Sequence, residues 1–422
     1  MHIFPFAGTN FWLATTIFQS IYLLTRIGQR SLLIKNSFMI AVSTSILFLA
    51  VKQSLILLPI LLLLTLLVYW IGCVLSRTQK DPSGKGILLI SIAVVTIVLC
   101  YFKYSFFQQY INQFTPLLMG AQPSPALPLN SHLFFIGVSY FSFKFIHFLV
   151  ECYKKKIENP DIMTFINYIL FFPSFFSGPI NRYNTFATSI ATITNNSTNL
   201  IPGIQRIING LFKTIVIANT LQPYSTTALD IATASPSEII ISLYAFGLYA
   251  YFNFAGYTDM AIGCGKIVGI ELPENFNKPF FQRNLQKFWS NWHMSLTSWL
   301  TDYIYWPLAK KLRKIKLLRK KPVTISNISI FFTFVICGIW HGDGLNFLLW
   351  GAFHGIGLMV LNGYTLVIRK YASRNVKKFV KKSPIAYAFS NFLTFQYVSL
   401  GFIAFTCNTK ELQTILYRLL GS

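Results

Sequence analysis

Acidic residues are scarce in this chain. Twelve Asp and Glu stand against 36 Lys and Arg among 422 residues, and charged residues of both signs make up only 11%. Soluble domains carry about 25%, so a water-soluble globule is excluded. The six cysteines (Cys73, Cys100, Cys152, Cys264, Cys337, Cys407) form no CxxC pair and read as small core residues. No HExxH or nearby Cys/Asp pair accompanies the histidines, so no metal is expected. A GxSxG elbow, a P-loop and a Rossmann fingerprint are missing, which removes the common hydrolases, NTPases and dinucleotide enzymes. Ten-residue alternating strands are missing too, and with them a membrane barrel. The N-terminus shows no basic stretch followed by a small-residue cleavage site, so no removable signal peptide is expected.

Long apolar runs are what the chain has. Hydrophobic residues make up 54% of it. Ser54–Ser76 carries no charge and is long enough to cross a hydrocarbon core of about 30 Å. Ile87–Phe102 is a second uncharged run. Further apolar stretches lie near 11–25, 36–50, 131–150, 163–177, 207–219, 236–270, 325–340, 345–368 and 386–406. Only helices or closed barrels satisfy backbone groups in lipid. The fold class is therefore an all-α polytopic membrane protein, with roughly ten segments.

The net charge of +24 is clustered. Lys310–Lys321 (KKLRKIKLLRKK) holds eight basic residues in twelve. Arg369, Lys370, Arg374, Lys377, Lys378, Lys381 and Lys382 form a second cluster. Arg77/Lys80/Lys85 and Lys154–Lys156 form smaller ones. Basic loops stay cytoplasmic and meet anionic lipids. They also suit an acidic cytoplasmic partner. Because the clusters flank apolar spans, nucleic acid is excluded as a partner.

Texture changes after about residue 120. Pro123, Pro125, Pro128, Gly178–Pro179, Gly256, Gly263, Gly265, Gly269, Pro273, Pro279, Gly338, Gly342 and Gly344 interrupt apolar segments. Broken helices at membrane depth are tolerated where they are buried in protein or line a watery cavity. Residues 130–360 are thus expected to form a site-bearing core. Residues 1–120 and 361–422 form its wall, and the whole is a single domain.

Three segments carry candidate chemistry. Asn284, suited to N-capping, precedes Leu285–Tyr303 (LQKFWSNWHMSLTSWLTDY). The spacing predicts one helix with an apolar stripe through Phe288, Trp289, Trp292, Leu296, Trp299 and Tyr303. His293 lies at the stripe's edge. The opposite face (Ser290, Asn291, Ser295, Thr297, Ser298, Thr301) is polar and uncharged, as a hydrated cavity inside protein requires. An interfacial helix with a tryptophan belt is the alternative. His341 follows the uncharged run Ser329–Trp340 and precedes Gly342-Asp343-Gly344, which places it at a helix end. Ionisable groups in spans are functional candidates; a hydrogen-bonded structural histidine is the alternative. His354, in WGAFHG, lies thirteen residues further on, about 220° round a continuous helix, so the two need not share a face. Asp259, among glycines and apolar residues, needs a partner. Lys266, a polar group on a lining helix, or a proton pathway are the options, and a structural partner is the favoured one.

Taken as an ordered set, these segments match a family. "IGVSYFSFKFI", "FFPSFFSGPINRYNTF", "FNFAGYTDMAIG", "ENFNKPF", "WHMSLTSW" and "GIWHG" resemble the membrane-bound O-acyltransferase family across about residues 130–360. The resemblance implies a ring of transmembrane helices around a thinned centre, with shorter tilted or re-entrant helices inside. It implies acyl transfer from a thioester to a hydroxyl, with donor and acceptor free to arrive from opposite sides. His341 matches the family's catalytic histidine and His293 its earlier histidine. Asn291, Ser295, Trp292, Trp340, Asp302, Asp259, Arg182 and His354 are further candidates to bind substrate or line its route. Within the family the bacterial cell-envelope branch fits best. "SGPINR", "NFNKPF", "YWPLAKKLRK" and the compact length resemble the D-alanyl transfer type of teichoic acid modification. "GYTDMAIG" and "ELPENFN" resemble the alginate O-acetylation type.

The chemistry suits the residue. A hydroxyl attacking a thioester must lose its proton as the bond forms, and neutral imidazole accepts it. His293 could orient the acceptor or donate to the developing oxyanion. No covalent acyl-enzyme is required, and no resident cofactor is expected. The donor would be a thioester on the phosphopantetheine arm of an acidic carrier protein at the cytoplasmic face. The acceptor would be an envelope polymer or membrane intermediate. A bacterial cytoplasmic membrane, with a tunnel from the Lys310–Lys321 face past His341 near mid-membrane, follows from that arrangement. A transporter or flippase is the competing class, and the lack of visible inverted repeats counts against it.

Overall fold

A computed structural model describes residues 9–50, 57–78, 82–107, 109, 132–193 and 197–420. Lys80, Pro123, Pro125 and Pro128 lie outside the described residues. The chain is an all-α polytopic membrane protein. Seven helices are long and apolar enough to span a bilayer among the described residues, and two shorter apolar helices cover 11–24 and 32–48. Exposed Leu63 (68%) and Val360 (65%) belong to an apolar surface larger than a soluble monomer tolerates. The chain divides into two compact units: residues 1–211 with 256–273, and 212–255 with 274–422. Residues 130–360 are therefore shared between the two.

The first unit holds α1 (Thr9–Leu24), α2 (Leu32–Ala50), α3 (Leu57–Arg77), α4 (Pro82–Lys103), α5 (His132–Tyr153), α6 (Ile162–Leu170), α7 (Tyr183–Thr192) and α8 (Leu200–Leu211). Its core is phenylalanine-rich. Phe148 and Phe165 pack at a tilt of 36° with centroids 4.1 Å apart, and Phe141, Phe145, Phe171 and Phe186 extend the cluster. Buried Lys35 and Lys144 and half-buried Lys155 close helix ends here. Lys144 donates to the carbonyls of Tyr168 (2.9 Å) and Ile169 (3.4 Å) at the end of α6. Lys35 donates to the Ile193 carbonyl (2.9 Å) after α7. Lys155 donates to those of Leu75 (3.2 Å) and Ser76 (2.6 Å) near the end of α3. A cation there satisfies orphan carbonyls and opposes the helix dipole. Part of the large positive charge is thus internal structure.

Helix α9 (Pro236–Ile267) belongs to both units by sequence. Ser235 and Glu238 form a capping box at its start: Ser235 N–H donates to Glu238 Oε2 (2.8 Å) and Glu238 N–H to Ser235 Oγ (3.4 Å). The second unit continues with α10 (Leu285–Trp289), α11 (Met294–Leu300), α12 (Trp306–Arg313), α13 (Pro322–His341), α14 (Leu345–Tyr371), α15 (Arg374–Lys382), α16 (Pro384–Thr406) and α17 (Thr409–Leu420). Pro322 and Pro384 open their helices at the first position, where no N–H is needed.

Candidate active site

Helices α13 and α14 form an antiparallel hairpin. A Cβ on Gly338 would collide with the Phe347 carbonyl, so glycine permits the close approach. The chain reverses at Gly342–Gly344, and His341 ends α13 there. The glycine break foretold this helix end. Both basic clusters, Lys310–Lys321 and Arg369–Lys382, stand at the open end of the hairpin. The 20 residues of α13 span about 30 Å, so His341 stands a full helix length from them along α13. Its imidazole is partly exposed and bounded by rings: Trp340 at 4.7 Å, Phe405 at 4.9 Å and Trp350 at 5.1 Å between centroids.

His293 is held differently. The expected single helix over 285–303 is broken. Asn284 does cap α10, accepting from Lys287 N–H (2.9 Å), but α10 ends at Trp289. His293 takes left-handed backbone angles (φ 46°, ψ 52°) before α11 begins. Histidine adopts this region more readily than most residues, and such strain collects at functional sites. A second chain segment enforces it. Asn277 N–H donates to the Asn291 carbonyl (3.0 Å), and Met294 N–H to the Asn275 carbonyl (2.9 Å). Asn275 Oδ1 accepts from Ser295 Oγ (2.6 Å) and Ser295 N–H (3.2 Å), and lies 3.4 Å from His293 Nδ1. Asn275 is fully buried. It sits inside the "ENFNKPF" stretch, but nothing local in the sequence singles it out. His293 lies outside the seven spans, and burial pushes its imidazole down to about 3. It is a neutral group that donates or accepts a hydrogen bond. Phe254 packs edge-on against it at 4.7 Å.

His354 joins the site in spite of the angle computed for a continuous helix. The hairpin folds it back, so Trp350 touches both His341 (5.1 Å) and His354 (5.0 Å). Trp289 of α10 meets Trp350 (5.6 Å) and His354 (4.9 Å). Trp289 Nε1, Trp350 Nε1 and His354 Nδ1 are buried without a hydrogen-bond partner among the described residues. A buried polar atom left unmatched costs about 1–3 kcal/mol. The three rings touch one another, and Trp350 also touches His341; a substrate oxygen or water would satisfy such atoms.

The remaining candidates separate. Trp292 stacks on Phe288 (5.5 Å), one ring from Trp289. Trp340 is His341's neighbour. Asn291 Nδ2 donates to the Lys287 carbonyl (2.8 Å), and Ser290, Thr297 and Thr301 likewise bond to nearby carbonyls. With Ser295 on Asn275, this polar face serves its own backbone to a large extent. Asp302 is exposed, in a wide π-type turn over Thr301–Tyr305. Asp259 and Arg182 belong to the first unit. The partner of Asp259 is Arg206 (2.6 Å) rather than Lys266. Arg182 faces His147, with Nη1 and Nδ1 3.4 Å apart.

Known proteins resemble this chain over most of its length. The family model described as "MBOAT, membrane-bound O-acyltransferase family" matches residues 12–404. Teichoic acid D-alanyltransferase of Bacillus subtilis is 29% identical over 79% of this chain and 80% of its own. A probable alginate O-acetylase of Pseudomonas putida is 26% identical over 84% of this chain and 68% of its own. Peptidoglycan O-acetyltransferase of Helicobacter pylori is 27% identical over 84% and 67%.

Proposed function

The chain belongs to the membrane-bound O-acyltransferase family and is a multi-pass membrane acyltransferase, and on that premise we propose that it moves a D-alanyl group from a carrier-protein thioester to a hydroxyl of a cell-envelope polymer. The observation that carries the reading is the placement of His341. It is a partly exposed imidazole at a helix end, against Trp350 of a ring cluster that holds three unmatched polar atoms, one span away from two basic clusters. His341 accepts the proton of the attacking hydroxyl as its oxygen bonds to the thioester carbonyl carbon. The tetrahedral oxyanion takes hydrogen bonds from donors for which the indole N–H groups and His293 are candidates. The carbon–sulfur bond then breaks, and the thiolate leaves with the proton that His341 returns. The carrier docks on the Lys310–Lys321 cluster, which lies in the cytoplasm of a bacterial cell. Its pantetheine arm carries the thioester through a tunnel toward His341.

O-acetylation is the second reading, favoured by the resemblance to the alginate and peptidoglycan O-acetyltransferases. Membrane vesicles given labelled D-alanyl-carrier thioester or labelled acetyl-CoA separate the two. Label passing to polymer from the first donor alone is the expected result. Transfer from acetyl-CoA alone would overturn the D-alanyl assignment.

A further inference from the structure

Helix α15 links two spans, α14 and α16, and so lies at one face of the membrane. Its sequence, RNVKKFVKK, is strongly two-faced. At 100° per residue, Arg374, Lys377, Lys378, Lys381 and Lys382 fall within an arc of about 140°. Val376, Phe379 and Val380 occupy the opposite side. No residue of α15 is buried, and Phe379 (54%) and Val376 (43%) are exposed. Tyr371 and Ile385, at the neighbouring ends of α14 and α16, are likewise exposed. No acidic residue occurs between Asp343 and Glu411, so nothing along this stretch neutralises the cations.

The helix is also tied to the site. Arg283 Nη1 donates to the Lys381 carbonyl (3.1 Å), and its Nη2 donates to that of Val380, closing the end of α15. Tyr387 hydroxyl donates to the Phe281 carbonyl. Asn391 Nδ2 donates to the carbonyls of Phe280 (2.8 Å) and Gln282 (2.9 Å). These bonds fix Phe280–Arg283 to α15 and α16. Asn284 then caps α10, whose Trp289 reaches Trp350 and His354. At its other end the same segment clasps His293 through Asn275. The stretch from 275 to 293 is thus anchored once at the basic helix and once at the histidine.

We propose that α15 is a binding helix for anionic phospholipid, and that through Arg283 its seating on lipid sets the order of the 280–293 segment. An amphipathic helix with a basic face lies in the interface with its apolar side against the acyl chains. Anionic headgroups attract the lysines. An acidic protein would neutralise the same lysines but leave Phe379 and Val376 without cover. The spans on either side already hold the helix against lipid.

Hydrogen exchange by mass spectrometry reads this without acyl transfer, so its failure is separable from failure of the catalytic assignment. The full chain is placed in nanodiscs of phosphatidylcholine alone or mixed with phosphatidylglycerol. Amides of 374–382 and 280–293 should exchange roughly tenfold more slowly in the mixture, and the difference should shrink near 0.5 M salt, where the Debye length falls to a few ångströms. Lys377→Gln/Lys378→Gln should remove both effects. Arg283→Ala should keep the first and lose the second. Unchanged exchange in α13 serves as the folding control. Equal exchange of 374–382 in both lipids would overturn the proposal, as would slowing that appears only when an acidic carrier protein is added. A response at 280–293 that survives Arg283→Ala would overturn the coupling.

Discussion

In the first unit Lys144 is almost completely buried, and it rests on the carbonyls that end α6. Asp259 is equally hidden and meets Arg206. In the second unit His293 and His354 are just as buried, yet they lie among rings, with an amide as the polar neighbour of His293. The contrast follows from desolvation. An ion stripped of water is tolerated only when paired or hydrogen-bonded, so the first unit's buried charges are bound into its scaffold. A neutral imidazole survives burial without a counter-ion and keeps a lone pair or an N–H for a substrate. Buried charge therefore marks structure in this molecule, whereas buried neutral imidazole serves more than one end: His147 in the first unit accepts from Tyr183 N–H (2.9 Å), and His293 and His354 stand at the candidate site.

The strongest way to break that comparison is His341→Ala. Transfer measured with labelled donor in vesicles should fall by about 10²–10⁴, the usual contribution of a general base, while the variant still inserts and elutes as a folded protein. Wild-type transfer by such a variant would leave the site without its base.

Asp259→Asn probes the first unit. It leaves Arg206 facing a neutral amide. Breaking a buried pair costs about 3–5 kcal/mol, and the lower end applies because the Arg206 side chain is 33% exposed. A clear drop in thermal unfolding temperature is expected, with residual transfer per folded molecule unchanged. Lost activity in a fully stable variant would move Asp259 from scaffold to chemistry.

Asn275→Ala tests how His293 is held. Ser295 would lose its acceptor and the left-handed turn its clasp, worth about 1–3 kcal/mol. The rate at saturating donor should fall by about tenfold to a hundredfold, with a smaller change in KM. A pure KM effect would mean that Asn275 binds substrate rather than positioning His293.

Acid should unsettle the second unit. His293 protonates at about 3 when folded and near 6.5 when unfolded. Between those values the unfolded chain binds more protons, so stability falls as pH drops below 6.5 toward 3. At pH 5 the loss from this group is about 2 kcal/mol. Unfolding temperatures from pH 7 to pH 5 should fall for the wild type and fall less for His293→Gln. Parallel curves would remove His293 as a source of acid sensitivity.

Much of the architecture is readable from local sequence, because spans are long apolar runs and Gly342–Gly344 marks a break beside His341. The turn at His293 is not. Trp289, Trp292 and Leu296 keep helical spacing through it, so periodicity runs on where the backbone does not. The group that bends the chain, Asn275, lies eighteen residues away. The Arg206 partner of Asp259 lies fifty-three residues away, on another helix. The lysines that close helix ends look, in one dimension, like any other basic residue. The angle of about 220° between His341 and His354 holds only along one continuous helix, and the hairpin replaces that angle with a shared tryptophan.

That shared tryptophan allows a finer test of the second unit. Gly401 on α16 leaves room for the His354 ring. A Cβ there would collide with Nε2 and lie 2.8 Å from Cε1. Gly401→Ala therefore adds one methyl group outside the ring cluster and pushes the imidazole toward Trp289 and Trp350. Trp350 in turn packs edge-on against His341. Overpacking of this kind costs about 1–3 kcal/mol, and much of it would appear as ring displacement because α16 backs the glycine. A shift of an ångström in a catalytic group can cost up to about 100-fold. His341 is two contacts away, so a fall of about tenfold in the maximal rate is expected, with little change in KM. His354→Phe, which keeps a flat ring but removes Nδ1, separates packing from polarity. If the fall in Gly401→Ala comes from displaced rings, His354→Ala in the same chain should relieve part of it. A Gly401→Ala variant with full activity would show that His341 does not sense the ring cluster behind it.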